Sequence, residues 1–228
     1  MQMQDKDYSF QSVPKGARNG FMKMLVVMLG LTFYSASMWA GGSLGEGMTF
    51  MHTLGAILIG NIILGAFTGA LGYIAAKTGL STHLLAQYSF GVKGAYISSF
   101  MLSATQIGWF GVGLGMFAYP VSKLTGLPLI GIVIVTGILM TATAYFGMKA
   151  LTILSFIAVP AIAVLGSFSA TKAVTDMGGM SELFSYTPTT SLSLAAALTI
   201  TIGSFISAGT LTPDFARYAK SGKHAVST

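Results

Sequence analysis

Charge is what this sequence has least of. Twelve Lys and Arg and six Asp and Glu make up only 8% of its 228 residues, where a soluble domain carries about 25%. So few charges cannot cover a water-facing surface. Cysteine is missing altogether, which excludes disulfides, thiolate nucleophiles and thiol–metal centres. The six acids, Asp5, Asp7, Glu46, Asp176, Glu182 and Asp214, all fall outside the long apolar runs. No carboxylate is therefore expected at membrane depth, where such groups mark proton relays and partners for charged substrates. The three histidines, His52, His83 and His224, lack any metal-ligand spacing. No histidine lies in an apolar run to act as a base for a serine nucleophile. An enzyme is not the expectation.

What remains is apolar: 53% of the residues are hydrophobic, with a mean hydropathy of +0.74. Runs of about twenty apolar residues recur, each long enough to cross a hydrocarbon core roughly 30 Å thick. They are continuous rather than alternating, which points to helices and not to barrel strands. The pattern predicts an all-α integral membrane protein with six transmembrane helices over residues 21–42, 53–76, 95–120, 127–147, 150–170 and 191–211. Residues 1–20 read as a polar tail with no cleavable signal, and 212–228 as the start of a further connection. The loop at 77–94 is long enough for a short interfacial helix.

The net charge of +6 does not imply nucleic acid, because the bases lie in tails and short loops. Ten of them fall on one side of the expected spans: Lys6, Lys15, Arg18, Lys23, Lys77, Lys93, Lys149, Arg217, Lys220 and Lys223. Only Lys123 and Lys172 fall on the other. Loops rich in Lys and Arg stay cytoplasmic, so both ends of the chain are expected in the cytoplasm, and the lipid bilayer is its first partner.

Three stretches place polar or small residues inside apolar runs. In "SATQIGWFGVG", Gln106 and Trp109 are three residues apart and share a helix face. They can be interhelical glue and packing. Equally, a ring face beside an amide is how a flat heteroaromatic ligand is held. The segments "GLTFYSAS" (30–37) and "GSFISAGTLTPDF" (203–215) put glycines and hydroxyls at membrane depth, either for tight packing or as helix breaks. Residues 32–37 and 204–209 agree at Phe, Ser and Ala. Inverted-repeat transporters bind substrate and ions where such corresponding helices unwind. Unwound carbonyls hold a cation without any carboxylate.

Five blocks, "MLGLTFYSASMWAGG", "LGYIAAKTGLSTHLLAQYSFGVKG", "TQIGWFGVG", "LTILSFIAVPAIAVLGS" and "GSFISAGTLTPDFARYAK", resemble the cytosine permease branch of the nucleobase–cation symporter family. The resemblance runs from about residue 12 to residue 220. It implies twelve transmembrane helices, the first ten arranged as two inverted repeats of five, with helices 1 and 6 discontinuous. It implies uptake of cytosine or a related base with sodium, by alternating access, across the cytoplasmic (inner) membrane. By the same resemblance the base is stacked between Trp109 and Phe205, with polar contacts from Gln106, Ser204 and Ser207. Sodium is held in part by the backbone carbonyls of Gly30 and Phe33. The chain stops just after the sixth apolar run, so it is expected to be a fragment lacking helices seven to twelve, with the remaining sodium ligands. Two other readings stay open: a carrier of another neutral planar solute such as uracil, allantoin or a hydantoin, and a six-span membrane subunit without transport activity.

Overall fold

A computed structural model describes residues 8–228; Asp5, Lys6 and Asp7 lie outside the described residues. The described chain is helical throughout. Its one β-type pairing is an isolated parallel bridge between Asn19 and Ala219.

The first apolar run forms two helices, α1 (Phe21–Thr32) and α2 (Ser35–Gly47), bent by 52° across the intervening break. At the break Phe33 (ψ 82°) and Tyr34 (φ −125°, ψ 134°) leave the helical region. Next come α3 (Phe50–Thr78), α4 (Thr82–Thr125), α5 (Leu129–Tyr145) and α6 (Gly147–Asp176). The short α7 (Met180–Ser185) leads to α8 (Leu194–Gly203), α9 (Ile206–Thr210), α10 (Thr212–Ala216) and α11 (Gly222–Ser227).

By length and apolarity three helices, α3, α4 and α6, are able to cross a membrane, or four if α1 and α2 count as one bent span. That is fewer than the six expected. The difference has a local cause: α5 has 17 residues and α8 only 10, because the sixth apolar run is divided into α8, α9 and α10. Several helices also outrun their apolar stretch. α6 continues to Asp176, six residues past the expected end, and there Lys172 Nζ lies 2.9 Å from Asp176 Oδ2. Hydropathy marks where lipid stops, whereas the helical hydrogen-bond ladder continues into water.

The loop at 77–94 is helical from Thr82 onwards, within a helix that breaks at Gly91 (φ 69°, ψ 173°). That conformation costs glycine little and other residues more. The start of α4 is doubly capped. Ser81 Oγ accepts from Leu84 N at 3.3 Å, and Asp214 Oδ1 accepts from Thr82 N at 3.0 Å. Together they satisfy two of the amides a helix start leaves open.

α3 is the spine, packed against α8, α10 and α11, while α1 packs on α6 and α4 on α5. Close approach relies on small residues, as membrane helices do. A side chain at Gly60 would meet Thr201 Cγ2 at 2.5 Å. One buried cluster joins Val13, Met24, Ala75, Ala216 and Tyr218; a second joins Leu44, Met48, Ala56 and Ala197 at the other end of α3.

The two polar ends are folded against each other rather than free. Asn19 N donates to Tyr218 O (2.6 Å), and Lys220 N to Asn19 O (3.1 Å). Arg217, only 7% exposed, donates to Tyr8 O at 2.8 Å and lies 5.0 Å from the Tyr218 ring. Arg18 donates to Val13 O and to Ala76 O at the end of α3. Arg217 is buried and Arg18 half-buried, and each has carbonyl partners to replace water.

Candidate functional site

Two helix breaks face α4. The α8–α9 break comes from Ser204 and Phe205: Phe205 (φ −129°, ψ −16°) is not helical, and its amide reaches only Ile202 O, at 3.2 Å. The α1–α2 break presents Leu31 and Tyr34. Between the breaks and α4 lies a cavity of about 260 Å³. Its lining includes Gln106, Trp109, Ser204, Phe205 and Ser207. All five residues expected around a bound base, drawn from segments about a hundred residues apart, therefore meet in one space.

The chemistry of the lining is specific. Gln106 Nε2 is buried and has no hydrogen-bond partner among the described residues. A buried donor left unpaired in protein alone calls for a ligand or an ordered water. Ser204 Oγ donates to Thr201 O at 2.8 Å, so it can offer only lone pairs to the cavity. No ring contact joins Trp109 to Phe205 among the described residues; both line the cavity. Among the described residues that line it, the Tyr34 phenol is the one titratable group.

Tyr34 is the residue sequence reasoning missed. Its hydroxyl donates to Trp109 O at 2.9 Å, and its ring meets the indole edge-on, centroids 6.0 Å apart at 80°. Gly113 makes room: a Cβ there would lie 3.3 Å from the Tyr34 hydroxyl. The only signal was its place beside Phe33 in "GLTFYSAS". Met140 and Phe110 also line the cavity, and nothing in their apolar runs distinguishes them.

Phe205 borders a second cavity as well, of about 410 Å³, lined also by Thr32, Asn61, Thr68 and Thr201. Ser204 likewise borders both spaces.

Gly30 and Phe33 do not border the Trp109 cavity. They line a separate one of about 250 Å³ against α6, and Leu31 borders both. At the break the backbone amides turn away from their helical partners. Tyr34 N donates to Thr32 O (2.9 Å), and Ser37 N to Tyr34 O (3.1 Å). The amides that would close the turns onto Gly30 O and Phe33 O are thereby engaged elsewhere. These carbonyls also lie at the C-terminal, negative end of the α1 dipole. Among the described residues no group of three or more His, Cys, Asp or Glu could hold a metal.

Known proteins share this sequence and this fold. Residues 12–228 match the family model described as permease for cytosine/purines, uracil, thiamine, allantoin. The cytosine permeases of Escherichia coli K12 and of Escherichia coli O157:H7 are each 54% identical over 223 residues, 98% of this chain and 53% of theirs. The chain thus spans about half the length of the curated relatives it matches. Among solved structures, Mhp1, a nucleobase-cation-symport-1 family transporter in a closed conformation with bromovinylhydantoin bound, superposes with a TM-score of 0.83 at 18% identity. That match covers 93% of this chain and 48% of Mhp1. These relatives are transport proteins rather than enzymes. By its sequence, and with a fold to match, this multi-pass membrane chain belongs to the family of permeases for cytosine and purines, uracil, thiamine and allantoin.

Proposed function

We propose that this chain forms the base-binding part of a sodium-coupled cytosine permease of the cytoplasmic membrane, working by alternating access. The observation that carries the proposal is the meeting of Gln106, Trp109, Ser204, Phe205 and Ser207 in one cavity between two helix breaks. Trp109 and Phe205 supply apolar faces for a planar ring. The unpaired Gln106 amide and the two serines read its polar edge. The lack of charge in the lining favours a neutral base, since desolvating an ion there would go uncompensated.

In this reading sodium binds at the carbonyls of Gly30 and Phe33, and Leu31 lies between the ion and the base. Ion binding that orders the α1–α2 break would stabilise the cavity wall carrying Tyr34. That is the thermodynamic content of coupling: each ligand raises the affinity of the other by the same factor. The chain would cross the bilayer six times, with α1–α2 and α8–α10 as interrupted spans, and would be the first part of a five-plus-five inverted repeat. Both of its ends would face the cytoplasm, as the ten-to-two distribution of Lys and Arg indicates.

The close relatives named as cytosine permeases support cytosine as the cargo. A second reading, a hydantoin or another planar solute, draws support from the bromovinylhydantoin bound to Mhp1 and from the ability of an amide to present either its carbonyl or its NH₂ group. Uptake of radiolabelled cytosine by cells expressing the protein at its full encoded length tests the first reading. It should depend on sodium and be competed by cytosine more strongly than by uracil, allantoin or hydantoins. Stronger competition by a hydantoin would transfer the assignment to the second reading.

A further inference from the structure

α4 is bent back on itself at Gly91, and one imidazole bridges its two arms. His83 of the first arm and Ser99 of the second are 16 positions apart, which is about 24 Å along a straight helix. Across the bend their side chains meet: His83 Nδ1 lies 2.7 Å from Ser99 Oγ, and the His83 ring stands 5.3 Å from that of Tyr96. On the other edge of the imidazole, Nε2 lies 3.2 Å from Gln87 Nε2. An amide nitrogen only donates, so it takes the lone pair on Nε2 and leaves the ring proton on Nδ1, facing Ser99. His83, Gln87 and Ser99 are all half-buried.

Each arm leads to one wall of the candidate base site. Gln106 lies seven positions beyond Ser99, two turns along the same face of the second arm and about 10 Å away. Trp109 follows one turn later. The first arm is tied to the opposite wall: Thr82 N donates to Asp214 Oδ1 at 3.0 Å, and Thr82 Oγ1 to Thr210 O at 3.5 Å. Thr210 ends α9, the helix that carries Ser207. The first arm is thus a bracket between α9 and the middle of α4, and His83 is its joint to the second arm.

We propose that His83 is a positioning residue of the base site: through Ser99 it sets the height and rotation of Gln106 and Trp109 against Phe205 and Ser207. This rests on the base-binding reading above. His83 does not line the cavity, so it acts through α4 and not by touching the base.

The test is equilibrium binding of labelled cytosine to the purified protein at its full encoded length, with thermal unfolding measured on the same samples. His83→Phe keeps a ring against Tyr96 and loses both nitrogens; it should weaken cytosine binding about three- to tenfold. Ser99→Ala, a smaller change, should weaken it about threefold. The double variant should be no weaker than His83→Phe alone, because both changes remove one contact. His83→Asn can place an amide NH₂ where Nδ1 stood, and should recover binding to within about twofold of wild type. A general loosening of the fold would give no such rescue. Unchanged affinity in His83→Phe and Ser99→Ala, whether or not they melt earlier, makes His83 packing alone and overturns the assignment, with the base site intact. Losses that add in the double variant, or no rescue by His83→Asn, overturn it as well. If wild type binds cytosine and Trp109→Ala binds it equally well, the base-site reading fails, and the positioning role fails with it.

Discussion

The hydroxyl of Tyr34 donates a 2.9 Å hydrogen bond to the backbone carbonyl of Trp109, joining the α1–α2 break to the middle of α4. The same ring stands edge-on to the indole. One side chain therefore fixes both the backbone and the ring of the tryptophan proposed to stack on the base. Tyr34→Phe keeps the ring contact and removes the hydrogen bond, whose net worth is about 1 kcal/mol. Cytosine binding, measured at equilibrium with labelled base, should weaken about three- to tenfold. Tyr34→Ala should cost more, because the edge-on contact is lost too. Unchanged affinity in Tyr34→Phe would remove the hydroxyl from the binding geometry.

Gly113 is the counterpart of that contact. A methyl there would lie 3.3 Å from the Tyr34 hydroxyl and 3.6 Å from its ring, closer than the ring can tolerate without shifting. Gly113→Ala should therefore weaken cytosine binding by a factor similar to Tyr34→Phe. Neighbouring sites that act through one contact are not additive. Gly113→Ala in a Tyr34→Ala background, where the ring is gone, should have little further effect. An additive double variant would mean that Gly113 acts by another route.

The stacking proposal has its own measurement. Trp109→Ala and Phe205→Ala should each weaken cytosine binding by about ten- to hundredfold, taking roughly 1–3 kcal/mol for one base–aromatic contact. Membrane expression should stay near wild type, because both side chains line a cavity rather than fill a core. Intact binding in either variant would take that ring out of the site.

Much of this site was legible in the sequence, and for a physical reason. An amide and an indole three residues apart in an apolar run must share a face, so Gln106 and Trp109 announce themselves. Hydroxyls and glycines packed into 203–209 weaken a helix, and the chain does break there, at Ser204 and Phe205. Tyr34 was not legible, because a residue at a helix break follows no period and its partner is 75 positions away. The pairing of the chain ends was hidden as well. Hydropathy assigns Arg18 and Arg217 to water, whereas the carbonyls of Val13, Ala76, Tyr8 and Asp214 hold them against the protein. Helix ends were misplaced wherever charge and helix overlap, as at Asp176. The rule that reads lipid contact is blind to hydrogen bonding beyond it.

Asp214 offers a test of how the break proposed to bind the base is tied to the rest of the fold. It stands in α10, just beyond α9, and its Oδ1 accepts from Thr82 N at 3.0 Å. Nearby, Thr82 Oγ1 donates to Thr210 O at 3.5 Å. The carboxylate thus caps the first turn of α4, where it also faces the positive end of a helix dipole. Asp214→Ala removes both effects and should cost about 1 kcal/mol of stability, within the usual range for a lost N-cap. Asp214→Asn can keep the hydrogen bond through its side-chain carbonyl and lose only the charge, so its cost should be smaller. Thermal unfolding in detergent, with the protein at its full encoded length, should therefore rank wild type above Asn and Asn above Ala. Salt should narrow the gap between wild type and Asn, because screening acts on the charge and not on the hydrogen bond. If Asn and Ala melt together, below wild type, the charge rather than the cap is what holds α10 to α4.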